Sequence, residues 1–176
     1  MKTRFFLLAA LIAASAALQA ADSKSNPSSS NPSSAADAAF ARLKTLVGEW
    51  EATNSSGKLH LSYELVSGDT ALLERESSDS MPSMVTLYTV DGGRLLLTHY
   101  CMLGNQPRMQ AKALNPDTGE LDFQFVDATN LASPAAGHMH HAKLRIVDNS
   151  HLVSEWQFYE NGQPKFSESA QYTRVR

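Results

Sequence analysis

Thr98-His99-Tyr100-Cys101 puts a histidine two residues from the chain's one cysteine, and Gly137-His138-Met139-His140-His141 gathers three of its six histidines. Imidazole nitrogen with thiolate sulfur is a donor set that suits zinc or copper, so these segments raise a metal site first. Met81, Met84, Met102, Met109 and Met139, five of the six methionines, fall in or beside the segments that would surround such a site. Thioethers favour Cu(I), and flexible methionines equally suit a pocket for apolar molecules. Catalytic patterns are missing. There is no HExxH, CxxC, GxSxG or phosphate-binding glycine loop, and Leu144 and Arg145 stand where a His-x-His metal motif would want a glutamate. Cys101 with His99 makes a poor nucleophile pair, because i and i+2 side chains on a strand sit ~7 Å apart. An enzyme is therefore the least favoured class.

The elements that must position these residues are strands. Asp37 followed by Ala38 to Leu46 reads as a short helix, with Asp37 as N-cap and Phe40, Leu43 and Leu46 or Val47 at helical spacing. Beyond Gly48 the period becomes two, and strands are predicted at 48–54, 58–66, 70–77, 84–90, 94–101, 108–114, 120–126, 138–147, 151–159 and 165–175. Gly, Asn, Asp and Pro punctuate them with tight turns, so neighbours should pair antiparallel. The connections 78–83 and 127–137 are longer, and long loops collect at a barrel's mouth. An all-β fold follows: about ten antiparallel strands in an up-and-down barrel behind a short N-terminal helix, with a sandwich as the alternative.

Alternation then assigns faces. Leu59, Leu61, Tyr63 and Leu65 should point inward on one strand, Leu121, Phe123 and Phe125 on another, and Trp156 and Phe158 on a third. By the same rule His99 and Cys101 accompany Leu95 and Leu97, while His138 and His140 accompany Ala142, Leu144 and Ile146; His141 faces solvent. The remaining polar residues have two readings each. Glu74 and Glu76 line the interior if Leu72 does, or are solvated if Leu73 marks the core; solvation is favoured because ionised groups avoid unpaired burial. Arg108 suits an anion or a strand cap, with the cap favoured, and Glu155 reads as an exterior charge.

The chain opens with Lys2 and Arg4 ahead of an apolar run from Phe5 to about Ala14 and small residues up to Ala20. That is the layout of a secretory signal peptide over residues 1–20, which makes the protein periplasmic or secreted. No membrane insertion is expected once the leader is cleaved, the run being short for a spanning helix. Residues 21–36 are rich in Ser, Asn, Pro and Ala and read as a flexible linker, leaving one domain over 37–176. Without Lys2 and Arg4, 13 basic residues face 18 acidic ones. No basic stripe exists, which argues against nucleic acid as a partner. A single cysteine makes no internal disulfide, and a buried thiol is its plainest reading.

Resemblances to known families bear on the fold. Leu43 to Ala52, LKTLVGEWEA, a helix running into Gly-x-Trp on a first strand, resembles the opening of lipocalin-like barrels. That resemblance implies that Gly48 lets the chain turn closely and that Trp50 plugs the closed end. The segments MVTLYTVDGGRLLLTHYCMLGNQPRM, FQFVDATNLASPAAGHMH and HLVSEWQFYENG resemble those of an exported bacterial lipocalin-like family, a domain of unknown function. More distantly the chain is similar to nitrobindins, ten-stranded barrels that hold haem through a histidine. Glu51-Ala52-Thr53 replaces their glycine-rich pattern, and the last strand has no histidine.

The expected function is an exported barrel that binds a small, largely apolar molecule. Tyr63, Phe123, Phe125, Trp156 and Phe158 would supply contact area, and His99, Cys101, His138 and His140 the polar fixing points. The alternative is zinc, copper or haem at His99, Cys101, His138 and His140.

Overall fold

The computed structural model describes residues 34–54 and 57–175. The predicted leader and residues 21–33 of the predicted linker lie outside them. A helix, α1 (Ala35–Lys44), comes first. Ser34, not Asp37, is its N-cap: Ser34 Oγ accepts from the Asp37 N–H at 3.1 Å, and the Asp37 carboxylate accepts from the Ser34 N–H at 2.9 Å. This reciprocal capping box satisfies two otherwise orphaned donors and moves the helix start back from the sequence expectation.

Ten strands follow among the described residues: β1 (Gly48–Asn54), β2 (Gly57–Val66), β3 (Ala71–Ser78), β4 (Met84–Asp91), β5 (Arg94–Tyr100), β6 (Gln106–Asn115), β7 (Glu120–Thr129), β8 (His138–Ile146), β9 (His151–Glu160) and β10 (Gln163–Arg174). Each pairs antiparallel with its sequence neighbours, and β1 pairs with β10, so the sheet closes into a lipocalin-like up-and-down barrel. Closure excludes the sandwich and leaves no fully free edge strand. β7 continues to Thr129, beyond its predicted end, because Gln106↔Thr129 and Arg108↔Asp127 extend the ladder. Arg108 is accordingly ion-paired with Asp127 on the exposed face, neither cap nor anion site.

One end of the barrel is plugged. α1 packs on β4, β5 and β6 and buries Ala36, Ala39, Phe40 and Leu43. Gly48, at φ 132°, holds a backbone conformation that side chains disfavour, and there the chain turns from helix to strand. Trp50 is completely buried, donates its indole N–H to Leu46 O at 2.7 Å, and has the Arg174 guanidinium 4.1 Å from its ring centroid. Arg174 also donates to the carbonyls of Thr45, Val47 and Asn149, at 2.6 Å each. These bonds latch the plug to β10 where the β1–β10 seam is short, since only Trp50↔Arg174 and Glu51↔Thr173 pair across it.

The interior on the plugged side is close-packed. Leu72, Tyr88, Leu97, Met109, Leu121, Phe123, Leu144 and Leu152 are all fully buried. Each large apolar side chain removed from water in this way contributes about 1.5–3 kcal/mol. The loops β3–β4, β5–β6, β7–β8 and β9–β10 all lie at the other end, opposite the helix, as the antiparallel order requires.

Candidate functional site

Strand register builds a polar row across the barrel's inner face. Tyr63 on β2 lies opposite Glu74 on β3, Glu74 opposite Thr86 on β4, and Thr86 opposite His99 on β5. Glu74, Thr86 and His99 are 3 %, 1 % and 3 % exposed. This corrects the solvated reading of the glutamates: Leu72, fully buried, marks the interior, and Leu73 is the residue facing out with Glu64. Burial is tolerated because hydroxyls supply what solvent would. Tyr88 Oη donates to Glu74 Oε2 at 2.7 Å, and Thr86 stands beside the same carboxyl. The Tyr63 hydroxyl is close enough to favour the carboxylate, although its Oη has no partner at full hydrogen-bond geometry.

Burial pushes the Glu74 carboxyl up, against the pull of these hydroxyls. Burial, then the Glu74 and Glu168 charges, push Glu76 up to about 7. Tyr63 and Tyr88 are raised by burial and by the Glu74 charge. His99 is held down at about 4 by burial. Its Nδ1 lies 3.0 Å from Thr86 Oγ1. Thr86 has a single hydroxyl proton; while that O–H donates to the Glu74 carboxyl, Thr86 Oγ1 accepts from His99 Nδ1–H, and Nε2 of the neutral ring keeps a free lone pair. That Nε2 is buried and has no hydrogen-bond partner among the described residues.

Next to this row lies a cavity of about 30 Å³, lined among others by Leu61, Glu74, Glu76, Trp156, Glu168 and Tyr172. It runs from β2 and β3 to β9 and β10, facing the short seam of the barrel. Trp156 forms part of its wall, donates to Ser154 Oγ at 3.0 Å, and packs on the His99 ring at 4.9 Å between centroids. Among the described residues, no lysine, arginine or histidine is ion-paired with Glu74, Glu76 or Glu168.

The other histidines form a separate aromatic cluster near the open end. Phe125 lies 4.7 Å from both His138 and His140, and His140 stacks on Tyr159 at 4.0 Å. A register shift between Met139 and His141 makes His140 the extra residue of a bulge, so simple alternation breaks there. His138 is 4 % exposed. Its Nδ1 donates to Ala136 O at 2.8 Å, which fixes the proton on that nitrogen and leaves Nε2 buried and unpartnered. Gly137 lies beneath Phe158, which stacks on Phe166 at 4.8 Å. Asn105 donates to Gly137 O at 2.9 Å, while its own Oδ1 is buried without a partner.

The sequence expectations divide accordingly. His99, Tyr63 and Trp156 meet around the buried carboxyls; Phe125, His138, His140 and Phe158 belong to the rim. Phe123 is core, packed on Tyr88 at 5.8 Å, and exposes no surface to a ligand. Cys101 has left β5 for the following loop, where its N–H bonds Asn105 O at 3.1 Å; burial raises its thiol pKa, which disfavours the thiolate that metals bind. Among the described residues no three His, Cys, Asp or Glu side chains are grouped to hold a metal ion, so His99, Cys101, His138 and His140 do not assemble one ligand set. A haem fits no better. The cavity has room for one or two water-sized groups, and His140 is stacked between the rings of Phe125 and Tyr159. Sequence reasoning passed over Thr86, Tyr88 and Glu168; for Glu74 and Glu76 the alternation Leu72-Glu74-Glu76 against Arg75 offers the interior reading, which the cost of burying a carboxylate outweighs.

Comparison with protein-family models and with characterised proteins finds no match to this chain.

Proposed function

We propose that this chain is a non-enzymatic, exported barrel that takes up a small molecule at the end opposite its helix. The observation that carries the reading is where polar atoms go unsatisfied. Among the described residues, Tyr63 Oη, His99 Nε2, Asn105 Oδ1 and His138 Nε2 are buried without a partner at full hydrogen-bond geometry, and the last three belong to the half of the barrel away from the plug. Such groups cost about 1–3 kcal/mol each when left unmade, and a bound molecule recovers that cost. The aromatic rim of Phe125, Phe158, Tyr159 and half-exposed Phe166 offers the apolar contact area that gives a ligand affinity, while the buried nitrogens orient it. The leader-like start of the sequence supports action in the periplasm or outside the cell.

A neutral environment-sensitive dye, Nile red, tests this. The expected result is saturable one-to-one binding, competed by short alkyl alcohols and weakened at least five-fold in Phe125→Ala with an unchanged circular dichroism spectrum. Non-saturable uptake, equal in wild type and variant, would falsify the proposal.

A further inference from the structure

We infer that the molecule this barrel takes up is a neutral hydrogen-bond donor, a flat apolar body bearing hydroxyls that Asn105 Oδ1 and His138 Nε2 accept. The inference rests on the small-ligand reading above and adds the polarity of the site. Two side chains meet there on one short segment of main chain. Asn105, in the β5–β6 loop, donates from Nδ2 to Gly137 O at 2.9 Å, and His138, which follows Gly137, donates from Nδ1 to Ala136 O at 2.8 Å. Asn105 is 5 % exposed and His138 4 %.

Those two bonds fix the polarity of what remains. A carbonyl only accepts, so the amide nitrogen of Asn105 must face Gly137, and Oδ1 is the atom left over. For the same reason Nδ1 of His138 holds the ring proton, and Nε2 of the neutral imidazole is a lone pair. Both leftover atoms are acceptors, and both are buried without a hydrogen-bond partner among the described residues. The donors nearby are already engaged. Asn130 Nδ2 and Gln106 Nε2 both donate to Gly104 O, at 2.6 and 2.9 Å, and the Cys101 N–H goes to Asn105 O at 3.1 Å. Neither the β5–β6 loop, 101–105, nor the β7–β8 loop, 130–137, carries a lysine or arginine to turn in. The missing donors come from a bound molecule.

The surroundings are aromatic. The Phe125 ring lies 4.7 Å from that of His138, and the His140 ring 5.4 Å from it. Phe158 stands over Gly137 and stacks on half-exposed Phe166. Rings of this kind hold a flat apolar body and leave its hydroxyls to the two acceptors. An ether or ketone of the same shape would set its own lone pairs against them and leave both unpaired. Both atoms are out of reach of solvent, so a hydroxyl reaches them when the β7–β8 loop shifts. That loop is tied to its neighbours by single hydrogen bonds, from Asn105 to Gly137 O, from Asn130 to Gly104 O and from the Asn161 N–H to Ala135 O at 2.8 Å.

The test titrates the mature protein calorimetrically with 4-ethylcatechol, which carries a pair of hydroxyls, and with its dimethyl ether, which has none. The catechol should bind about tenfold tighter or better. His138→Phe keeps a ring beside Phe125 but lacks Nε2, and Asn105→Leu lacks Oδ1. Each should cut the preference about fivefold and leave the ether's affinity within about twofold, with folding checked by circular dichroism. A preference that survives in both variants reflects the smaller size of the catechol, and the inference is overturned. If the ether binds as well as the catechol, or Nile red binds while neither does, the donor inference falls and the small-ligand reading stands. If none of the three binds, both fall.

Discussion

Glu76→Gln and His99→Gln should tilt the pH profile of stability in opposite directions. Glu76 ionises at about 7 in the folded barrel against an ordinary 4.5, so its favourable contribution is complete below pH 4.5 and is lost as pH rises through 7. His99 ionises at about 4 against 6.5, so its neutral form is favoured by folding above pH 6.5 and that contribution is lost as pH falls toward 4. At about 1.4 kcal/mol per pH unit, each group changes stability by about 2 kcal/mol between pH 5 and pH 8, with opposite sign. In the wild type the two oppose one another.

Urea denaturation at half-unit steps across that window separates them. Glu76→Gln minus wild type should become more favourable by about 2 kcal/mol from pH 5 to pH 8, and His99→Gln minus wild type less favourable by a similar amount. Burial pushes the Glu74 carboxyl up as well, and taking differences at each pH removes whatever Glu74 contributes to both proteins equally. Asp122, Asp127 and Asp148 are all held below 3.8, so their contributions vanish only at lower pH, outside the window. A flat difference for Glu76→Gln would mean that the carboxyl is already solvated and does not line a buried cavity.

Gly137→Ala should destabilise the barrel by about 1–3 kcal/mol, because its Cβ would sit 2.5 Å from Phe158 Cζ; chemical denaturation measures the loss, and no change would mean that Phe158 does not rest there. Cys101 should react with a thiol reagent at pH 7 several-fold more slowly than free cysteine, since burial raises its pKa and half covers it. Equal rates would place the thiol in solvent.

The strand boundaries were legible because alternation and turn chemistry are local. Every predicted strand lies within three residues of the observed one, and the largest difference, at the end of β7, arises where Gln106 and Arg108 recruit Thr129 and Asp127 from 20 or so residues away. The helix start moved for a similar reason: Ser34 and Asp37 cap each other, and either alone reads as a cap. The site was less legible. Leu72 and Leu73 give β3 two possible inner faces, and the cost of burying a carboxylate tips the reading toward solvent. That cost is met by Tyr88 and Thr86 from β4, and by Tyr63 nearby on β2. Likewise Ala142 and Leu144 fix the inner face of β8 until the bulge at His140 breaks the pattern.

What was hidden runs perpendicular to what was visible. Periodicity reports residues along one strand, whereas Tyr63, Glu74, Thr86 and His99 form a row across four strands. Their spacing in the chain is set by the lengths of three hairpins and has no period of its own. A one-residue slip of β4 against β3 would replace Thr86 with Val85 or Leu87 beside Glu74, depriving a buried carboxyl of the hydroxyls of β4. The buried row therefore penalises wrong register strongly while contributing little to net stability. A carboxyl whose partners exist in only one register specifies the fold, and the same pairing sets it at the wall of the cavity.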